Sequence, residues 1–154
     1  MADVTTKVAR MNGFYQPNTL VKTTVHLLDF GTAPDAMSVD THDLVKIPAG
    51  YAVIGVTVVP LVAFTSDGSA TLTIKVKAGT ETAASIGSAI AKANLAAGKV
   101  TKLIPSAGAQ LLKDTNGVYA EEVLQATVGT AAFTAGKALI IIDAIPVGDL
   151  LVNG

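Results

Sequence analysis

No charged residue falls between Lys46 and Asp67, and this interval of 20 residues limits what the chain can fold into more than any other feature. Twenty uncharged, largely apolar residues are enough to cross a bilayer as a helix. The run is poorly suited to that role. Pro48, Gly50, Gly55 and Pro60 interrupt it, and Val53, Ile54, Val56, Thr57, Val58 and Val59 carry branched side chains that fit a pleated surface better than a helical turn. It reads as a strand, and no membrane is expected as a partner. Ser66-Asp67-Gly68 supplies a turn after it, and Ala70, Leu72, Ile74 and Val76 then alternate with Thr71, Thr73, Lys75 and Lys77. The stretch from Ile47 to Val76 is therefore expected to form a β-hairpin at the skin of a core.

The first half of that stretch recurs. Phe133 to Pro146 aligns with Ile47 to Pro60 without a gap: Ala-Gly, the following Ala, the Ile and the closing Pro coincide, and apolar residues match at Val53/Leu139, Val56/Ile142 and Val59/Ile145. The physical content is a glycine turn, where positive φ is cheap, feeding a long strand that stops at a proline. Leu95-Ala96-Ala97-Gly98-Lys99-Val100 is a shorter use of the same turn. Chance similarity among Ala/Val/Ile-rich segments would give the same match, and both segments are strands on either reading.

The remaining elements follow in order. Residues 1–19 are polar and unpatterned apart from Met11, Phe14 and Tyr15, and read as an N-terminal arm, either a frayed terminus or a segment whose three large apolar groups dock on a neighbouring subunit. Met1 to Lys7 shows no basic segment followed by an apolar run, so no secretory signal is expected. Leu20 to Phe30 is a strand with Val21, Val25 and Leu27 on one side and Lys22, Thr24 and His26 on the other, and Gly31 to Asp43 is a loop. Ala78 to Gly98 permits either a helix or a short strand around Ala84 to Ala89 followed by a helical turn, and the glycine and serine at 87 and 88 favour the latter. Lys99 to Ile104 is a short strand ended by Pro105. Asp114-Thr115-Asn116-Gly117 is a tight turn, and Val118 to Val128 alternates, with Leu124, Ala126 and Val128 opposite Val123, Gln125 and Thr127. Ala138 to Ile145 is apolar enough to be covered on both faces. About eight turn-separated strands with one short helical turn predict an all-β, single-domain, jelly-roll-like β-sandwich over residues 20–147, followed by a tail, 148–154, that offers Leu150 and Leu151 to a neighbour. An immunoglobulin-like sandwich fits the same spacing, although no Trp or paired Cys supports it.

The chemistry expected of an enzyme is missing from the sequence. With no cysteine there is no disulfide, thiol nucleophile or thiolate metal site. His26 and His42 are the only histidines, and Asp40-Thr41-His42-Asp43 is the one place where His and acids cluster, read as a solvated loop with no second constellation to complete a site. Adjacent Glu121 and Glu122 on a strand face opposite ways, which removes the paired-carboxylate geometry of a glycosidase. Ala97-Gly98-Lys99 lacks the glycine spacing and hydroxyl of a phosphate loop. Net charge is -1, and Lys75, Lys77, Lys92, Lys99 and Lys102 stand singly without interleaved aromatics, so no nucleic acid is expected as a partner. Catalytic residues, cofactors and metals are accordingly predicted to be none. Hydrophobic residues make up 50% of the chain and charged ones only 15%, against about 25% in typical domains, so some apolar surface should be covered by neighbours.

Ile47-Pro48-Ala49-Gly50-Tyr51-Ala52-Val53-Ile54-Gly55-Val56, the Ser66-Asp67-Gly68 turn, Leu95-Ala96-Ala97-Gly98 and Phe133-Thr134-Ala135-Gly136-Lys137 before an Ile run together resemble small virion proteins of tailed bacteriophages. In particular the chain is similar, from about Asp43 to Pro146, to capsid decoration or cement proteins. The resemblance implies a non-enzymatic jelly-roll module on the capsid surface of the virion, a homotrimer that binds the major capsid protein, with no catalytic residues to carry over. Tail-associated and fibre modules share the same turn pattern. A carbohydrate-binding β-sandwich is the alternative of another class, weakened by the absence of Trp and by having only three Tyr. An enzymatic reading would rest on Asp40 to Asp43 alone.

Overall fold

In a computed structural model of the chain, the residues described are 21–29, 37–79, 82–105 and 120–146. They form nine strands: β1 (Lys22–Asp29), β2 (Thr41–Ile47), β3 (Tyr51–Thr65), β4 (Thr71–Ala78), β5 (Ala84–Ser85), β6 (Ile90–Ala91), β7 (Thr101–Leu103), β8 (Glu122–Gly129) and β9 (Ala135–Pro146). One 3₁₀ turn, Lys92–Asn94, follows β6. The strands make two antiparallel sheets, one in the order β1-β9-β3-β7 and the other in the order β2-β8-β4-β5 with β6 also beside β4. The expected all-β sandwich is the architecture observed.

Alternation decides which side chains fill the space between the sheets. In β4, Leu72, Ile74 and Val76 are fully buried while Thr71, Thr73, Lys75 and Lys77 are half-buried on the outer side. β8 places Leu124, Ala126 and Val128 inward, and β9 places Ala138, Ile140, Ile142 and Ala144 inward. Val53, Val56 and Val58 of β3 complete the facing layer. Phe64 and Phe133 close one end of it with their rings edge to face, centroids 5.2 Å apart.

The expected hairpin from Ile47 to Val76 does not form. β3 pairs with β9 along one edge, and along the other it pairs with β7 at Val56–Val58 and bonds to Gly98 N and Leu95 O through Pro60 O and Phe64 N, so no edge of β3 is left for β4, which pairs with β8 in the other sheet. The Ser66-Asp67-Gly68 turn is instead a corner between sheets. Ser66 Oγ donates to Ala132 O at 2.6 Å and accepts from Gly68 N at 3.2 Å, and Lys92 Nζ donates to Ser66 O and Gly68 O at 3.0 and 2.9 Å. β3 also runs past Pro60, where a strand end was expected. The register shifts between Pro60 and Val62, and the Pro60 carbonyl accepts from Gly98 N at 2.8 Å, so the missing amide donor falls beside a bulge.

The two similar segments lie side by side. β3 and β9 pair around Val56↔Ile142, which is also a matched pair in the sequence alignment, so a local two-fold axis through that pair relates the segments. Their glycines share positive φ, +89° at Gly50 and +144° at Gly136, and Gly98 adopts +78°. Gly136 is fixed by packing as well, since a Cβ there would lie 2.6 Å from the Phe64 ring. The run from Ala84 resolves as two short strands and the 3₁₀ turn, and Pro105 ends the β7 segment in a bridge to Ile86. β2 starts at Thr41, inside the expected loop, and among the described residues no helix is long and apolar enough to cross a membrane. The arm with Met11, Phe14 and Tyr15, the tail with Leu150 and Leu151, and the Asp114–Gly117 turn lie outside the described residues.

Candidate functional site

The polar residues singled out in the sequence are dispersed by the fold. In the Asp40–Asp43 segment, Asp40 Oδ1 accepts from Thr41 N at 2.8 Å, the His42 Nε2 atom lies 3.1 Å from Ser38 O, and Asp43 Oδ1 accepts from Gln125 Nε2 at 2.7 Å. Each side chain is turned to a different partner. Among the described residues no three His, Cys, Asp or Glu side chains converge on a point that could hold a metal ion. His26 is half-buried on β1 opposite Ile140. Lys75 and Lys77 stand on the outer side of β4, Lys92 is tied to the Ser66–Gly68 corner, and Lys102 lies on β7 at the edge of the other sheet.

Glu121 and Glu122 do face opposite ways. Glu121 is exposed, 3.9 Å from Lys46 Nζ, whereas Glu122 is 1% exposed and sits between Ile47 and Ala78 across the ladder. Among the described residues neither carboxylate oxygen of Glu122 has a hydrogen-bond partner. Burial without compensation pushes its carboxyl up to about 8, so the side chain is a neutral acid at neutral pH. Sequence parity could have placed it, because Glu122 shares its face of β8 with Leu124, Ala126 and Val128.

A cleft of about 300 Å³ opens between the β1 and β2 edges of the sandwich, floored by Ile47, Ile142 and Ala144 and rimmed by Lys22, Lys46 and Tyr51. It exists because the apolar side of β1 is turned away from it. Leu28 is 5% exposed and fixes the inward parity of β1, which leaves Thr24 and His26 on the inner side and Val25 and Leu27 outside, 56% and 51% exposed.

That orientation gives the two sheets opposite outer surfaces. The outer side of the β2-β8-β4 sheet carries polar rows: Thr41, Thr127 and Thr73, then Asp43, Gln125 and Lys75. Thr41 and Thr127 share a hydroxyl hydrogen bond of 2.8 Å. The outer side of the β1-β9-β3 sheet carries the rows Leu27, Leu139, Val59 and Val25, Ile141, Thr57. These apolar rows are closed at one end by the Asp29–Lys137 pair, 3.2 Å apart, and at the other by Asp143, whose Oδ1 accepts from Thr23 Oγ1 at 2.9 Å. β9 was expected to be covered on both faces, yet among the described residues nothing covers the outer one, and Leu139 and Ile141 are only half-buried by their strand neighbours. An antiparallel sheet tolerates one wet face when that face is polar; this one is not. The candidate functional surface is therefore this apolar face, on which the described residues form no cluster of His, Cys, Asp or Glu that could hold a metal ion.

No protein-family model matches the chain, and a comparison with curated proteins gives no match. In structure the chain is similar to a chain of the acidic stable capsid structure of Helicobacter pylori bacteriophage KHP30, with a TM-score of 0.47 and 18% sequence identity over 82% of this chain and 87% of that one.

Proposed function

We propose that this protein is a non-enzymatic structural module of a tailed-phage virion, a decoration or cement protein that associates with copies of itself and binds the major capsid protein at the capsid surface. The observation that carries the reading is the contrast between the outer faces of the sandwich, one polar and hydrogen-bonded, the other lined by Val25, Leu27, Leu139, Ile141 and Val59. A chain with 15% charged residues leaves Val25, Leu27, Ile54, Leu61 and Val62 exposed on β1 and β3 of this sheet, beside the loop residues Val39, Val100 and Ile104, the arrangement expected when neighbours complete the surface. The resemblance of its turn segments to phage decoration proteins supplies the kind of neighbour.

On this reading binding energy is spread over many contacts. Each contact after the first is effectively intramolecular, so an oligomer touching several capsid subunits ties them together against the pressure of packaged DNA. Residues 1–19, with Met11, Phe14 and Tyr15, and residues 148–154, with Leu150 and Leu151, are the proposed reaching segments. The test is addition of purified protein to undecorated phage heads, with bound protein counted after sedimentation. Saturable binding supports the reading. Absence of binding to heads overturns it, and binding to tails or fibres instead would move the module elsewhere on the particle. Undiminished binding after deletion of residues 1 to 16 would remove the arm from the mechanism.

A further inference from the structure

Resting on the reading of the outer β1-β9-β3 face as a contact surface, we propose that its occupant is the same face of a second copy, a pair in place of the homotrimer that the resemblance implies, related by a two-fold axis that runs across the strands between the levels of Leu139 and Ile141. Along the outer side of β9 the order is Lys137, Leu139, Ile141, Asp143: a cation, two apolar residues and an anion. Reversing the strand direction of the partner about that axis sets Leu139 against Ile141 and places Lys137 opposite Asp143 twice. The neighbouring strands follow the same order, because Leu27 and Val59 are level with Leu139, and Val25 and Thr57 with Ile141. The pattern is self-complementary about this axis. A two-fold axis parallel to the strands would set Lys137 against Lys137 and Asp143 against Asp143, so charge selects between the two face-to-face dimers.

The dimensions permit the contact. Lys137 and Asp143 are six residues apart, so each lies roughly 10 Å from the axis, and stacked sheets lie about 10 Å apart. The usual crossing of aligned sheets, about 30°, displaces groups at that radius by roughly 5 Å, within the reach of a lysine side chain. Lys137 already holds Asp29 on its own chain and its side chain is 40% exposed, which leaves donor capacity for the partner's carboxylate. The polar Thr and Gln rows of the other sheet have no comparable reason to leave water.

The test is sedimentation velocity on the full chain from about 1 to about 200 µM, a range that detects micromolar association. A monomer–dimer equilibrium is the expected result, and Ile141→Lys should weaken it by roughly 100-fold or more. Lys137→Glu and Asp143→Lys should each weaken it by roughly 10-fold, and the two together should recover most of that loss, since both pairs between the copies re-form with their signs exchanged while the Asp29–Lys137 pair within each chain does not. Should Ile141→Lys fail to fold, Leu27→Ser on the edge strand replaces it. A monomeric or trimeric wild type, a dimer indifferent to these apolar substitutions, or a double swap no better than the single ones overturns the proposal. Head binding is measured separately: a dimer that ignores phage heads removes the decoration reading and keeps the two-fold contact, and a monomer that binds heads does the reverse.

Discussion

Replacing Glu122 by glutamine tests the most unusual group in the core. The carboxyl is 1% exposed, has no hydrogen-bond partner among the described residues, and is pushed from the usual 4.5 up to about 8 by burial. In the folded chain it keeps its proton up to about pH 8, whereas in the unfolded chain it ionises near 4.5. Between those values the unfolded state has released a proton that the folded state still holds, so stability falls as pH rises. It is fully present below about 4.5 and is lost progressively until the folded carboxyl itself titrates. At 1.36 kcal/mol for each tenfold change in proton affinity, the whole interval corresponds to about 4–5 kcal/mol as an upper value. That is a large share of the roughly 5–15 kcal/mol that stabilises a typical domain.

Glu122→Gln keeps the shape and removes the titration. Urea unfolding followed by far-UV circular dichroism at about pH 5 should find the two chains within about 1 kcal/mol of each other, because a neutral acid and an amide are both buried polar groups there. At about pH 9 the variant should be more stable by several kcal/mol, with the wild-type curve falling between these pH values. An infrared carbonyl band of a protonated carboxylic acid, present at neutral pH in the wild type and missing in the variant, would identify the group directly. Parallel pH profiles for the two chains would refute the assignment, showing that Glu122 finds a partner or water that holds its charge.

Three further substitutions probe the corners of the sandwich. Gly136→Ala forces a Cβ to 2.6 Å from the Phe64 ring at a φ of +144°, and should cost about 2–4 kcal/mol in thermal or urea unfolding. Thr130, just after β8, has a φ of 70°, a conformation unfavourable for a β-branched residue, so Thr130→Gly should raise stability by up to about 1 kcal/mol, and a drop would show that its side chain has a role of its own. Ser66→Ala removes the bond to Ala132 O and the acceptor for Gly68 N, with an expected loss of about 1–2 kcal/mol.

Strand identity was largely legible because it depends on local alternation. β4, β8 and β9 lie within four residues of where their apolar parity begins and ends, and the positive-φ glycines at 50, 98 and 136 could be read from the repeated Ala-Gly. Partner choice was less legible because it is decided at a distance. Ser66-Asp67-Gly68 carries the chemistry of a turn whether the chain folds back beside β3 or crosses to the other sheet, and only the occupation of both β3 edges, by β9 on one side and by β7 with the Leu95 and Gly98 backbone on the other, settles which. The same limit applies to the surface. Val25 and Leu27 form an apolar stripe in the sequence, but one buried residue, Leu28, fixes the parity that turns the stripe outward. Glu122 was within reach of parity reasoning, though its lack of a partner depends on what the rest of the core places around it.

If copies pair through the β1-β9-β3 face, that face is spent on the pair, and capsid contacts must come from other surfaces of each copy. A two-fold pair then presents two identical capsid-binding regions. The second binds at an effective concentration of the order of millimolar once the first is seated, so avidity exceeds single-site affinity by roughly 10²- to 10⁴-fold where both can engage. Ile141→Lys should therefore reduce the apparent affinity for heads by about 100-fold while leaving a weak, saturable residue of binding, because the contact made by each monomer is untouched. Equal head binding by the variant and the wild type would mean that pairing contributes nothing to attachment. Complete loss in a folded variant would instead place Ile141 inside the capsid contact itself, and the apolar face would then belong to the capsid protein and not to a second copy.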